Sequence, residues 1–182
     1  EVVLVGDEPY PPYQRPPLSK NYLAGNVDRE SLYLKPLSVY ESAGYQLRLG
    51  VSVEQVHRNN KTIRLSDQSV LKYDQLVLAT GSRVRRLEVP GADLKGIHYL
   101  HDIADTDILR QQLSPDKRLV IVGGGYIGLE VAAIAVKIHS VGVVGGRNEL
   151  GLAHGAGPGT EHLLRGDITL LQNLQGGDQL RV

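Results

Sequence analysis

Gly123, Gly125 and Gly128 fall at the spacing Gly-x-Gly-x-x-Gly, between an apolar run at residues 119–122 and a stretch of helical periodicity. That arrangement can bind the phosphates of a dinucleotide. The first glycine permits a tight strand-to-helix turn, the second lets the backbone approach a pyrophosphate, and the third lets the helix pack closely on the strand. The helix N-terminus then offers unpaired N–H groups and a partial positive charge to the anion. Ile127, Val131, Ile134 and Ile138 recur at helical spacing and mark one buried face. A glycine-rich turn without a ligand is the plain alternative, and the strand and helix on either side weigh against it.

Nothing else in the chain announces chemistry by spacing alone. The 182 residues contain no cysteine, which removes disulfides, thiolate metal sites and a redox dithiol from this stretch. Redox chemistry here would belong to a bound cofactor. His57, His98, His101, His139, His154 and His162 are scattered without a paired-ligand pattern, so no metal is assigned. With 20 basic and 20 acidic residues there is no net field to attract nucleic acid or an anionic membrane. No apolar run approaches the roughly 20 residues that span a bilayer, and no signal-peptide pattern appears, so a cytoplasmic protein is expected. Phe, Met, Trp and Cys are all absent, where average usage gives on the order of 15 such residues in this length. A fragment, a chain written in a reduced alphabet or an incompletely established sequence is the expectation from that composition and from a start at Glu1 inside a strand-like run, and the residues do not choose among the three.

The elements that must position these residues alternate in type. Residues 2–5 form an apolar run ending in Gly6-Asp7-Glu8, the pattern of a buried parallel strand with acids at its carboxyl end. Five prolines between residues 9 and 17 impose an extended loop. Residues 18–34 are compatible with helix, interrupted at Gly25. Three β-patterned pieces follow at 45–49, 51–57 and 62–65, with turns at Asn59-Asn60 and Asp67-Gln68 and a return at 70–73. Residues 76–79 read as another buried strand before Thr80-Gly81. Residues 83–91 are basic and proline-bounded and suit a connection. A helix is expected over 103–113, capped by Asp102 and stopped before Pro115. Strands are expected at 141–144 and 168–171, while 145–159 is glycine-rich and poorly periodic.

Three motifs in fixed order, YPPYQRPPLSKNYLAG (10–25), LVLATGSRVRRLEVPG (76–91) and VIVGGGYIGLE (120–130), resemble the FAD-dependent, NAD(P)H-linked ferredoxin reductases. Those flavoproteins serve bacterial cytochrome P450 and ring-hydroxylating dioxygenase systems. The resemblance implies an α/β fold of two Rossmann-like parallel-sheet units with an inserted antiparallel β-meander, incomplete at both ends. A partial FAD domain would cover 1–105 and a partial NAD(P) domain 106–182. Electrons would pass from NAD(P)H through FAD to a 2Fe-2S ferredoxin or a rubredoxin.

The same resemblance assigns roles. Lys20 would lie beside the flavin and pair with Glu130, a cation near the reacting ring stabilising the charge that develops on it. Taken alone, Lys20 is a solvated loop lysine and Glu130 a first-turn acid favoured by the helix dipole. Asp7 would hydrogen-bond the adenosine ribose of FAD, Val53 would meet the adenine through its backbone, and Ala79, Thr80 and Gly81 would lie along the flavin nucleotide. Val53 is otherwise a strand core residue. Arg15 would contact a phosphate, a task suited to its guanidinium. Tyr126 would cover the flavin face until nicotinamide displaces it, or else be a surface helix tyrosine. With Ile127 it follows the second glycine of the turn.

Three departures from the family pattern carry consequences. The FAD domain would have its own strand and glycine turn about 30 residues ahead of Glu1. At Tyr99-Leu100-His101 a histidine stands where the family carries a phosphate-binding arginine, so weaker FAD binding is expected. The acid expected about 20 residues beyond the glycine turn, on the ribose 2′-hydroxyl, is replaced by Gly145. Arg147 could instead accept a 2′-phosphate. NADH and NADPH both stay open, with a lean to NADH from the family. Two other readings stand beside the reductase: another flavin reductase, such as a rubredoxin reductase or an NADH oxidase, and a non-catalytic nucleotide-binding remnant.

Overall fold

Residues 1–115, 117–123, 125–137, 141–145 and 168–171 are described by a computed structural model of the chain. They pack as two compact units. One joins Glu1–Gln14 to Arg29–Gly81; the other joins Arg15–Asp28 to the described residues from Ser82 onward.

In the first unit, β1 (Val2–Gly6) pairs in parallel with β2 (Tyr45–Leu49), Val2 opposite Tyr45 and Gly6 opposite Leu49. A parallel pair cannot be closed by a tight hairpin. The long crossover between these strands carries a 3₁₀ turn at Glu30–Leu32 and the short helix α1 (Leu37–Ser42), which bury Leu32 and Tyr40. Three antiparallel strands follow in the order β3 (Val53–His57), β4 (Thr62–Leu65), β5 (Val70–Lys72). Lys61 and Gln68 take left-handed backbone angles at the two hairpin tips. Only the central strand is deeply covered: Ile63 and Leu65 alternate inward while β3 is exposed along its length.

In the second unit, four parallel strands lie in the order β6 (Ile97–Tyr99), β9 (Ile168–Leu171), β7 (Arg118–Val122), β8 (Val141–Gly145). Helix α2 (Ile103–Gln112) begins at Asp102, whose carboxylate accepts from the Asp105 N–H at 2.8 Å. Helix α3 (Tyr126–Lys137) connects β7 to β8, giving strand, glycine turn, helix, strand. The apolar core joins Leu119 and Ile121 of β7 to Val131, Ile134 and Ala135 of α3 and Leu109 of α2. Leu23 enters the same core from the 15–28 segment.

The mixed parallel and antiparallel α/β architecture is the expected one, and four differences from the sequence reading are physical. Residues 76–79 are not a strand: no described strand offers them ladder partners, and Val77 and Leu78 are exposed. Residues 2–5 do form a parallel strand, yet Val2 and Val3 are exposed because a two-stranded sheet covers little of its own surface. Residues 18–34 contain only 3₁₀ turns, Pro16–Ser19 and Glu30–Leu32, with Gly25 at φ 75° reversing the chain between them. The short elements α1 and β6 arise where no pattern announced them. The packing units interleave along the chain, and Leu18, Tyr22 and Leu23 are buried residues of the second.

Candidate functional site

The glycine turn sits where β7 gives way to α3. Gly123 is buried with φ 113°, a conformation that L side chains rarely adopt, so its glycine is required by the turn itself. The Gly125 carbonyl accepts from the Leu129 N–H at 3.2 Å and starts the helical ladder. Gly128 is buried on the helix face that meets the strand, which allows the close approach expected of a third glycine. Ile127 packs against the core while Tyr126, its neighbour, is 87% exposed. A nucleotide phosphate suits this turn: Gly125 is exposed, and no acidic residue occurs between Gly123 and Leu129 to repel it.

Glu130 lies one turn further along α3. Its carboxylate is held at both oxygens, by Lys20 Nζ at 2.8 Å from Oε1 and by Ser19, whose hydroxyl donates to Oε2 at 2.5 Å. Helix α3 has no acid in its first turn, so Glu130 is not the dipole-stabilised acid that sequence position alone suggests. Burial pushes the Glu130 carboxyl up, but the hydrogen bonds from Lys20 and Ser19 and the Lys20 charge outweigh it and hold the group below the ordinary carboxylate range. Lys20 is half exposed and also donates to the Pro16 carbonyl at 3.3 Å. A cleft of about 430 Å³ opens beside the pair, lined among others by Asn21, Asn26, Ile134 and Lys137.

A second constellation in this unit joins Arg15 to His101. The Arg15 guanidinium donates to the His101 carbonyl at 2.7 Å, and the His101 N–H donates to Asp105 at 2.9 Å. The two candidate phosphate contacts are thus neighbours, pinned by the first turn of α2. Burial, followed by the Asp102 charge, pushes the Asp105 carboxyl up despite the N–H groups it accepts. Burial likewise pulls the nearby His98 imidazole down.

The remaining candidates lie in the first unit. Asp7 is exposed immediately after β1, at the carboxyl end of a parallel strand, where nucleotide ribose is ordinarily met. Val53 is 44% exposed at a register irregularity that opens β3, so it is not the core residue its pattern suggests. Ala79, Thr80 and Gly81 are exposed and belong to no helix or strand, and Gly81 takes a left-handed φ of 66°. Gly145 is the last residue of β8, opposite Val122 at the end of β7, which is the strand-end position counted from the sequence. Arg147 lies outside the described residues.

Sequence reasoning missed Ser19 and Asp105. Ser19 carried a signal in hindsight, a small polar residue between the buried Leu18 and a candidate lysine; Asp105, at helix position three behind a capping aspartate, is the acid of a capping-box spacing. No group of three potential metal ligands occurs among the described residues, and none of their helices is long and apolar enough to cross a membrane.

Residues 1–169 match the pyridine nucleotide-disulphide oxidoreductase family model. The chain is 51% identical over 144 residues to a probable ferredoxin reductase of Castellaniella defragrans, covering 79% of this chain and 35% of that protein. It is 47% identical over 139 residues to the putidaredoxin reductase of Pseudomonas putida, covering 75% of this chain and 33% of the relative. Its fold superposes on the reductase of a covalent putidaredoxin reductase–putidaredoxin complex with a TM-score of 0.76 at 39% identity, over 96% of this chain and 44% of that one. The chain therefore spans about a third of the length of the curated relatives it matches.

Proposed function

Because this chain belongs to the pyridine nucleotide-disulphide oxidoreductase family, we propose that it is the nucleotide-binding portion of an FAD-dependent NAD(P)H:ferredoxin reductase. The observation that carries the reading is the Lys20–Glu130 pair, two residues 110 positions apart held at 2.8 Å beside a glycine turn. The strength of the likeness to ferredoxin and putidaredoxin reductases supports the same choice. FAD, when bound, supplies hydride acceptance from NAD(P)H and single-electron release to an iron–sulfur protein. Asp7, Arg15, Val53, Ala79, Thr80, Gly81 and His101 are the groups proposed to hold it. Gly123, Gly125, Ile127 and Gly128 would cradle the nicotinamide dinucleotide, with Arg147 beside its adenosine and Tyr126 free to swing over the reacting rings.

Lys20 places a cation where negative charge accumulates on reduction, and Glu130 keeps that cation in position. With no cysteine in these 182 residues, neither a dithiol nor a peroxidatic thiol can intervene within this portion. The acceptor is a 2Fe-2S ferredoxin or a rubredoxin serving an oxygenase, and the setting is the cytoplasm. The test is an anaerobic titration of the full-length protein with NADH, followed by flavin absorbance. Bleaching on mixing and reoxidation by a small iron–sulfur protein are expected. A colourless protein that cannot be reconstituted with FAD overturns the proposal.

A further inference from the structure

Ser19 and Lys20 are consecutive, yet both reach the same carboxylate. Neighbouring side chains in a strand point to opposite faces. Here Lys20 follows the Pro16–Ser19 turn with φ −124° and ψ −117°, outside both the helical and the strand ranges, and this turn brings the two together. They differ in kind. Ser19 is 5% exposed and sits in the wall of the second unit, whereas the Lys20 side chain is 49% exposed. The 2.5 Å separation from the serine oxygen to Glu130 Oε2 is in the range of a charge-assisted O–H···O⁻ bond.

We propose that Ser19 is a positioning residue for the redox site, fixing the Glu130 carboxylate through Oε2 so that Oε1 can anchor the solvent-exposed Lys20 ammonium. The inference rests on the reading of Lys20 and Glu130 given above. A lysine tethered only to an unfixed glutamate would sweep the cleft with it; the buried hydroxyl removes the carboxylate's freedom and leaves the lysine one short arc. Among the described residues, Lys20 comes to Glu130 from the proline-rich segment and Lys137 lines the same cleft from α3 itself, while the sequence of β8 carries no charged residue.

The experiment uses the full-length protein and has two independent readouts. In the first, the Glu130 carboxyl is titrated by carbon NMR in the protein without flavin. Ser19→Ala is expected to move that titration upward toward the ordinary glutamate range, and Ser19→Thr, which keeps a hydroxyl, to restore it. The second is the rate of anaerobic flavin reduction at saturating NADH. Ser19→Ala is expected to slow it on the order of fivefold with flavin retention unchanged, and to cost nothing further once Glu130→Gln is already present. A Glu130 titration that does not move, or a Ser19→Ala effect that persists in full beside Glu130→Gln, overturns the inference alone. An unchanged reduction rate in Lys20→Ala overturns the site reading and the inference with it.

Discussion

Lys20 and Glu130 show why an ion pair should be weighed before it is credited with stability. Their side chains are 49% and 30% exposed, and pairs that wet contribute about 0–1 kcal/mol. Lys20→Ala should therefore leave thermal unfolding nearly unchanged. It should slow flavin reduction by NAD(P)H on the order of tenfold to a hundredfold, because a preorganised cation acts on charge that develops during reaction. Stopped-flow reduction beside a melting curve checks both, and a large loss of stability with an unaltered rate would refute the assignment. The pH dependence has a definite sign. A carboxyl whose pKa is depressed on folding contributes stability above its unfolded value, here the ordinary 4.5, and loses it as pH falls through the lower folded value. Glu130→Gln should thus narrow its stability gap from the parent protein only below about pH 4.5, as denaturant midpoints at several pH values would reveal. Composition and periodicity hid this pair, since no local pattern links residues 20 and 130. Only the family motifs connected them.

Among the elements, those that carry their own signals were legible. Helix α2 has Asp102 at its N-cap, a buried stripe through Ile103, Thr106 and Leu109, and a stop before Pro115, and it forms as read. Asp102→Ala removes the acceptor for the Asp105 N–H and should cost about 1 kcal/mol, seen as a lower denaturant midpoint at unchanged slope. The loss should also loosen the His101 segment that Arg15 grips, so FAD retention should fall with it. Helix α1, six residues long, and strand β6, three residues long, had too few positions to show a period. Residues 76–79 failed in the opposite direction. Their apolar run expresses a demand for burial, but a strand exists only where neighbouring backbone supplies the ladder. Hydrophobic pattern records one side of that pairing and is silent about the other.

At the scale of the whole molecule, the α/β class and the glycine turn were readable because β7, α3 and β8 are consecutive and their order alone implies a right-handed parallel crossover. The choice between NADH and NADPH is expected to turn on the end of that crossover. Parallel pairing sets Gly145 opposite Val122, so the end of β8 lies beside the end of β7, where a second strand ordinarily presents an acid to the adenosine ribose. A glycine there neither accepts from a 2′-hydroxyl nor repels a 2′-phosphate, so discrimination by this position is expected to be weak in the parent protein. Gly145→Glu restores the acceptor and adds a charge that opposes phosphate. The expected outcome is a rise in the ratio of kcat/KM for NADH over NADPH on the order of tenfold, about 1.4 kcal/mol, the scale of one hydrogen bond to a charged group. The gain should appear mainly in KM, because the contact lies at the adenosine end and is equally present in ground and transition states. Equal ratios before and after the change would mean that the ribose is read elsewhere, and would detach the end of β8 from nicotinamide recognition.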